Sequence, residues 1–261
     1  MKQIYKIITI VITAFLVLSL TPASLAISTA ESQKNKPDEI ENKALGFCTH
    51  FTNTKTKVED RINNIKATIE TKRAEIQTRL QAYQDQHNAK LAESRELWDE
   101  NRQEHYLKLE EKAETDEQKQ ALATFKAIIE AAVTARRDKV DLAIEAYRNS
   151  LDSLIEAKHA SIDLAIENHK NAIDASFNQA LADCQAGQDP QTVKDNLKAG
   201  LQTAKQQFQA DREKAIEDFK TQHQALIETR KATINQAIED FKAILEQAKN
   251  DLKQAWGLET E

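Results

Sequence analysis

Glycine and proline are scarce in this chain, and their scarcity constrains the fold more than any motif does. Four glycines in 261 residues are far below the usual share of about 7%. No glycine or proline occurs from Phe47 to Ala186. Because strands and tight turns depend on these residues, this interval is predicted to be helical with very few breaks. The glycines are also widely spaced, which excludes phosphate-cradling loops and nucleophile elbows.

Cysteine is equally scarce, since the chain contains only Cys48 and Cys184. Zinc sites of the cysteine-rich kind need more than two such ligands. Di-iron bundles use a Glu-x-x-His motif on two helices, whereas here Glu156 and His159 match that spacing once, away from the apolar positions. We therefore expect no catalytic site, no cofactor and no metal, and predict that the protein is not an enzyme.

Long apolar runs are absent except at the start of the chain. Residues 1–26 combine two lysines, a 14-residue uncharged run and small residues before a cut after Ala26, which is the pattern of a signal peptide. The run is short for a membrane span, which needs about 20 residues, but an uncleaved anchor remains the rival interpretation. No cysteine lies near the cut, which excludes a lipoprotein signal. We predict cleavage after Ala26 and a secreted or extracytoplasmic location, in the periplasm or at the cell surface.

The charge balance disfavours two classes of partner. The whole chain has 36 basic and 42 acidic residues, and its first 26 residues contain two lysines and no acid. The remainder therefore carries 34 basic and 42 acidic residues, a net charge of −8. Nucleic acid and anionic membrane surfaces select clustered Lys and Arg, whereas both signs are interleaved here. We expect a protein partner of unknown identity, no nucleic acid, and no strong membrane binding after signal cleavage.

Two short segments carry the signals of helix ends. Thr115 followed by Gln118 is a capping-box pattern and predicts that a helix starts there. Further along, Gly187 is typical of a helix end, while Asp189 as N-cap and Pro190 at the first helical position predict a new start.

These signals divide the chain into a leader, a linker, three helices and a tail. The polar residues from 27 to 46 contain Pro37 and lack periodicity, so we predict a flexible linker there. A three-helix segment is predicted over 47–257, followed by a short acidic tail at 258–261. The helices are expected at about 48–113, 116–186 and 190–256, each about 100 Å long at 1.5 Å per residue.

An 11-residue repeat runs through all three predicted helices. In the second helix, apolar residues recur at the first and fifth positions of each block, and Asp occupies the second position every time. The first helix keeps the same period, and the third places Ile216, Ile227 and Ile238 in one row. Eleven residues in three turns give a nearly straight apolar stripe. The fold class predicted is all-α, with three long antiparallel helices in an elongated coiled-coil bundle; the narrow stripes leave homo-oligomerisation open.

The cysteines provide a test of the antiparallel arrangement. With the first turn near residue 114.5, Cys48 lies level with residue 181 of the second helix. Cys184 is then about 4.5 Å away along the axis. In an exported chain this placement favours a disulfide between Cys48 and Cys184. Two unrelated thiols or a redox-active pair are the alternatives.

Four aromatic or imidazole side chains need an assignment. His87 and His223 fall on apolar rows, and we interpret each as a hydrogen-bonded core residue rather than a ligand. Trp98 also falls on such a row and is predicted to be buried. Trp256 lies in the last helical turn and is predicted to cap the end of the bundle.

The chain as a whole resembles a family of exported bacterial long-helix proteins. The residues that carry the resemblance are Phe47-Cys48, the segment from Ala113 to Gln120 with Phe125 after it, and Asp183-Cys184 ahead of Asp189-Pro190. The resemblance implies export and a cysteine pair, and it implies no catalytic residues.

Three functions are compatible with these features. The first is a non-enzymatic exported structural or interaction protein, a rigid helical spacer or scaffold of the cell envelope or surface. The second is a holdase-like module, or one that binds a partner helix, which would need exposed apolar groups. The third is a lipid-surface-binding amphipathic protein, although the narrow stripe and the absence of a basic border disfavour it.

Overall fold

The computed structural model describes residues 37–258, with side chains from Cys48 onward. It contains three helices: α1 (Pro37–Glu110), α2 (Asp116–Gln185) and α3 (Pro190–Ala255). No strand occurs within this range, and the all-α prediction is confirmed. The predicted signal peptide, its cleavage after Ala26, residues 27–36 of the predicted linker and residues 259–261 of the predicted tail lie outside the described residues.

The start of α1 corrects the sequence prediction. Residues 37–46 were predicted to be part of a flexible linker, but the helix already begins at Pro37. Proline is favourable at a first helical position because its φ is preset and its missing N–H would have no partner there.

The turn between α1 and α2 is formed by the predicted capping box. The Thr115 N–H donates to Gln118 Oε1 at 3.3 Å, and the Gln118 N–H donates back to Thr115 Oγ1 at 3.2 Å. The helix before it ends at Glu110, three residues earlier than predicted, because the chain tightens there: the Ala113 N–H donates to the Glu110 carbonyl at 3.2 Å. The tightened turn buries Ala113.

The turn between α2 and α3 also has the predicted chemistry. Gly187 has a φ of +73°, in the left-handed region that glycine adopts without strain. The Gln188 N–H donates to the Asp183 carbonyl at 3.1 Å, which closes the end of α2. On the other side, the Thr192 N–H donates to Asp189 Oδ2 at 2.9 Å, so Asp189 caps α3.

The three helices contribute to two compact units. The first unit comprises the residues up to Arg79 together with Lys158–Glu217. Its core contains large apolar side chains from all three helices, among them Phe51, Ile69, Ile162, Phe177 and Val193. Within this unit α1 and α2 run antiparallel, because Cys48 lies beside Cys184 and Arg73 lies beside Asp163.

The second unit comprises Leu80–Ala157 and the residues from Asp218 onward. One core cluster includes Tyr106, Phe125 and Ala248, and another groups Leu151 and Leu154 with Phe219. Here too α1 and α2 run antiparallel, as the pairs Arg95–Asp141 and Arg102–Glu130 show.

The 11-residue rows predicted for α2 are buried over most of their length, while Val140, Ile144 and Ile155 are only partly buried. Of the first-position residues, Leu151, Ile162 and Ile173 are buried, and of the fifth-position residues Ile166 and Phe177 are buried. Phe177 has no exposed surface at all. The period therefore identifies the packed face of this helix.

In α3 the buried row lies one residue before the predicted one. Ile216, Ile227 and Ile238 are only partly buried. The most buried row also has an 11-residue spacing, and its buried members are Val193, Ala204, Ala215, Ala237 and Ala248. Because alanine contributes little apolar area, the isoleucines dominate the sequence pattern, while the small side chains occupy the closest helix contacts.

Candidate functional site

Polar residues interrupt the apolar rows of the second unit on each helix. One row of α3 is otherwise apolar, and its members at 11-residue spacing are Leu197, Phe208, Phe219, Phe241 and Leu252; Arg230 occupies the position between the last two phenylalanines. In α1, His87 interrupts the row between Ile76 and Trp98. We call His87, Tyr147, Arg148, His223 and Arg230 the polar layer.

The side chains of the polar layer contact one another across α2 and α3. The Tyr147 hydroxyl is hydrogen-bonded to His223 Nε2 at 2.9 Å. The His223 ring is also stacked on Phe219, with centroids 5.7 Å apart and planes 11° apart. The Arg230 guanidinium lies over the Tyr147 ring, 4.3 Å from its centroid. Arg230 is thus held by a cation–π contact rather than by a carboxylate.

On the α1 side, the polar layer is incompletely bonded. His87 Nδ1 is buried and has no hydrogen-bond partner among the described residues. One residue further along α1, Asn88 Oδ1 accepts a hydrogen bond from Arg148 Nη2 at 2.8 Å. A buried polar atom without a partner costs free energy, so the His87 ring nitrogen is a local weakness of the packing.

Burial and the neighbouring arginines shift the pKa values of the polar layer. Burial lowers the pKa of His87, and the charges of Arg148 and Arg230 lower it further. Burial likewise lowers the pKa of His223, again with a contribution from Arg230. Burial raises the pKa of Tyr147, and Arg230 opposes that rise. No carboxylate contributes to any of these shifts.

Several other part-buried arginines pair with carboxylates of another helix. Arg95 makes a bidentate contact with Asp141 at 2.6 and 2.9 Å, and Arg73 makes the same contact with Asp163 at 2.8 and 3.0 Å. Both acids belong to the aspartates that recur every 11 residues in α2. The recurrence is visible in the sequence, but its role, which is to bind α1, was not predicted; the missed signal was the matching 22-residue spacing of Arg73 and Arg95.

A further carboxylate pair involves Asp99. Arg137 Nη2 donates to Asp99 Oδ1 at 2.6 Å, and Arg102 Nη2 lies 2.7 Å from the same oxygen. The hydrogen bond from Arg137, followed by that from Arg102, lowers the pKa of Asp99 to about 2. This acid thus stays ionised at any physiological pH.

The first unit has buried polar side chains as well. Lys158 is buried, and desolvation together with repulsion from Arg73 lowers its pKa to about 8. His169 is buried too, with Nδ1 bonded to the Ala204 carbonyl at 3.0 Å and the ring stacked on Phe208. Burial lowers the pKa of His169 despite the opposing hydrogen bond.

The two cysteines meet at the end of α2, as predicted. Cys48 and Cys184 lie at disulfide distance, with Cα atoms 6.0 Å apart and a sequence separation of 136. Asp183 is buried beside Cys184, and its Oδ1 accepts hydrogen bonds from Gln179 and Gln188. The turn that ends α2 is therefore tied to the cysteine pair on one side and to its own side chains on the other.

The other residues singled out from the sequence have different outcomes. Trp256 fits its predicted role, since its Nε1 donates to the Gln118 carbonyl at 3.2 Å. The prediction for Trp98 is wrong: it is 54% exposed, and its ring is approached by the Arg136 guanidinium at 5.7 Å. Glu156 is exposed, and His159 is half-buried. The predicted hydrogen bond exists for His223 and is missing at Nδ1 of His87.

The described residues contain neither a metal-type cluster nor a membrane-spanning helix. Between residues 48 and 258, no three His, Cys, Asp or Glu side chains converge as a metal site would require. None of the helices in the described range has a stretch apolar and long enough for a bilayer crossing. No protein-family model matches the chain, and neither a curated protein nor a solved structure matches it.

Proposed function

We propose that this chain is a non-enzymatic exported structural or interaction protein, a helical spacer or scaffold of the cell envelope or surface. The observation that carries the proposal is how its side chains are used. In both units the buried apolar residues and the bidentate Arg–Asp pairs join one helix to another. Such an arrangement uses its specific contacts to hold long helices together.

Export is the second part of the proposal. Disulfides persist in oxidising compartments and are rare in the cytosol. Cys48 and Cys184 lie at disulfide distance, and residues 1–26 have the pattern of a signal peptide. These two features point to the same compartment independently, because one is a property of the fold and the other of the leader.

The 11-residue rows support a coiled-coil type of packing as the third part. A period of 11 residues over three turns matches helices that pack side by side with little supercoiling. The buried rows of α2 and α3 both keep that period. Membership of the exported long-helix family that the sequence resembles is part of the same hypothesis.

The export proposal is tested by intact mass and by cysteine alkylation of the full chain expressed with a C-terminal tag. We expect the exported protein to lack residues 1–26 and to have no alkylatable thiol before reduction. A matched deletion variant without residues 2–26 should stay in the cytoplasm with both thiols free. A species that retains Met1 and sediments with membranes would support the anchor instead.

The scaffold role is tested by cross-linking at the native cell surface, followed by pull-down. We expect the same partner to be recovered with the wild type and with the double variant Arg79→Gln/Leu164→Ala, which alters two exposed side chains. Recovery of no partner from intact cells would contradict the scaffold proposal.

A binding module of the holdase or partner-helix type is the second candidate, and one observation favours it. Leu107 and Leu142 are 58% and 65% exposed in the second unit. Exposed leucines are the groups that would grip an apolar client, although isolated ones are common on protein surfaces. This candidate predicts that the protein suppresses aggregation of a denatured client and that Leu107→Ser with Leu142→Ser weakens the suppression.

A further inference from the structure

In both units α1 and α2 are joined by contacts that mild acid leaves intact. Cys48 and Cys184 link the two helices in the first unit. Ion pairs link them in both units; they are Lys55–Asp174, Lys66–Glu167 and Arg73–Asp163 in the first, and Arg95–Asp141, Asp99–Arg137 and Arg102–Glu130 in the second. Carboxylates ordinarily stay ionised at pH 5.5, and Asp99, with a pKa of about 2, does so by a wide margin.

α3 is held mainly by small and apolar side chains. The buried members of its innermost row are Val193, Ala204, Ala215, Ala237 and Ala248. Alanine removes little apolar area from water, so each of these contacts stabilises the interface only weakly. An ion pair between Lys139 of α2 and Asp240 of α3 adds to them in the second unit, but its side chains are 54% and 38% exposed, where such pairs contribute little. The larger polar groups that link α2 to α3 therefore matter more than they would in an interface of leucines.

A buried imidazole forms such a link in each unit. In the first unit, His169 of α2 is bonded through Nδ1 to the Ala204 carbonyl of α3 at 3.0 Å, and its ring is stacked on Phe208 with centroids 4.9 Å apart. In the second unit, His223 of α3 is bonded through Nε2 to the Tyr147 hydroxyl of α2 at 2.9 Å. The two side chains are only 9% and 6% exposed. Both links thus cross from α2 to α3 through a histidine.

The surroundings of His223 would not accommodate a second positive charge. It faces the Tyr147 hydroxyl of α2, and the charge of Arg230 on its own helix adds to burial in lowering its pKa. On α1, His87 is the titratable group that also senses Arg230, and burial is the larger cause of its lowered pKa. No carboxylate contributes to either shift, so protonation here is compensated by no opposite charge.

His169 is in a similar position without the arginine. Burial lowers its pKa against the opposing hydrogen bond to Ala204, and no charged group contributes. Glu167, two residues earlier on α2, is paired with Lys66 of α1. Since a carbonyl can only accept, Nδ1 already carries its proton, and acid adds the second proton at Nε2. The added charge would lie at the contact between α2 and α3.

We propose that mild acid releases α3 first: protonation of His169 in the first unit and of His223 in the second opens the contact of α2 with α3, while α1 and α2 stay paired. The fold thus contains a pH-sensitive switch whose moving part is one helix. This goes beyond a general loss of stability, because it assigns the contact that opens. It does not depend on the proposed spacer role.

Hydrogen exchange locates the opening in the full mature chain with its cysteine pair oxidised. The measurement is made at pH 7.5 and pH 5.5, with exchange times corrected for the intrinsic pH dependence. Peptides of α3 around Ala204 and around His223 should exchange about tenfold faster at pH 5.5 after that correction, the factor that corresponds to one pKa unit. Peptides of α1 around Arg73 and Arg95 should change much less.

Single variants assign the opening to each imidazole. His169→Gln should abolish the acid response around Ala204 and leave that around position 223. His223→Gln should do the reverse, apart from the part that comes from His87. The control His105→Gln, at an exposed position of α1, should leave both responses unchanged.

Circular dichroism checks that each variant folds, and the order in which the wild-type helices lose protection remains decisive if one does not. Three results would overturn the proposal. They are an equal loss of protection in all three helices, no loss in α3, and a response around Ala204 that survives in folded His169→Gln.

Discussion

His169 and His223 are buried imidazoles with one good hydrogen bond each and an aromatic ring stacked on one face. Protonation would place a charge in surroundings that solvate it poorly, and His223 would also face Arg230. Both pKa values are therefore lowered below the ordinary value of 6.5. The folded protein binds these protons less readily than the unfolded chain does.

The first prediction is that stability falls on mild acidification. The contribution of these histidines to the free energy of unfolding is complete above pH 6.5, which is the pKa of histidine in the unfolded chain. It is lost as the pH drops from 6.5 towards the lowered pKa values of the folded protein, because the unfolded chain takes up protons first. Urea midpoints at pH 7.5 and pH 5.5 should show the loss. Asp99 titrates near pH 2 and so does not contribute in this window.

The double variant His169→Gln/His223→Gln should reduce this pH dependence and leave the part that comes from the lowered pKa of His87, whereas His105→Gln, at an exposed position, should not reduce it. Equal slopes in the wild type, the double variant and the control would contradict the assignment to the buried imidazoles.

The second prediction concerns the best-buried side chain of α2. Phe177 has 0% exposure, so Phe177→Ala should cost about 3–5 kcal/mol of unfolding free energy through lost burial and an unfilled cavity. Leu164→Ala, on the same helix but at 62% exposure, should change stability by less than about 0.5 kcal/mol. Urea denaturation of both variants makes the comparison, and similar losses would show that the 11-residue row is not the packed face.

Burial was predictable where an apolar row is made of large side chains, and it was not where polar residues interrupt the row. The burial of Phe177 followed directly from its row, whereas Trp98 is exposed although its spacing places it in a row. The reason is that Arg136, which is only partly exposed, lies between the Trp98 and Phe241 rings. Spacing along one helix says nothing about which side chain the neighbouring helices place opposite.

At the scale of the helix, α3 shows how small residues set close packing. The buried members of its row are mainly alanines, and at Gly200 even a Cβ would lie 2.6 Å from Ser176 Oγ. Alanine and glycine on the inner face let two helices approach closely. The isoleucines one position later flank this contact instead of filling it.

The third prediction tests the start of α2. Thr115→Ala removes the hydroxyl that accepts the Gln118 N–H and should cost about 1 kcal/mol, as N-cap losses usually do. Thr124→Ala is the matched control, because Thr124 is exposed and its hydroxyl only donates back to the Gln120 carbonyl within the helix. The difference in urea midpoint between the two variants measures how much the Thr115 N-cap contributes to stability. Equal midpoints would contradict that role.

Helix ends were predictable from local chemistry except at α1, which also ends at Glu110, three residues before the expected position. The ends near Gln185 and Pro190 fell within one residue of the expected positions because Gly187 and Asp189 act locally. The start of α1 at Pro37 was missed. Proline favours both loops and first helical turns, so Pro37 alone does not distinguish the two cases.

At the scale of the whole molecule, the cysteine pair closes the longest loop in the chain. Cys48 lies eleven residues into α1, and Cys184 lies in the last turn of α2. Their proximity followed from helix rise and the position of the first turn alone. The polar layer could not be derived in that way, because it depends on which residues of three separate helices reach the same level.

The last prediction is that Cys48 and Cys184 are bonded within one chain and that the bond stabilises this end of the bundle. Closing a loop of 136 residues restricts the unfolded chain by an amount that entropy models place near 5 kcal/mol, an upper figure. Cys48→Ser should lower the melting temperature yet leave the helical circular dichroism intact at 25 °C, because the apolar rows remain. Hydrogen exchange should rise first around Phe51, the buried neighbour of the bridge in sequence.

The matched controls are Cys184→Ser and the reduced wild type. Both should have the same melting temperature as Cys48→Ser, because all three lack the same bond. Non-reducing peptide mapping reads the bond directly. Two free thiols in the exported protein, or a bridge between two chains, would contradict the antiparallel pairing of α1 with α2 at this end, since that pairing is what brings the two Cα atoms to 6.0 Å.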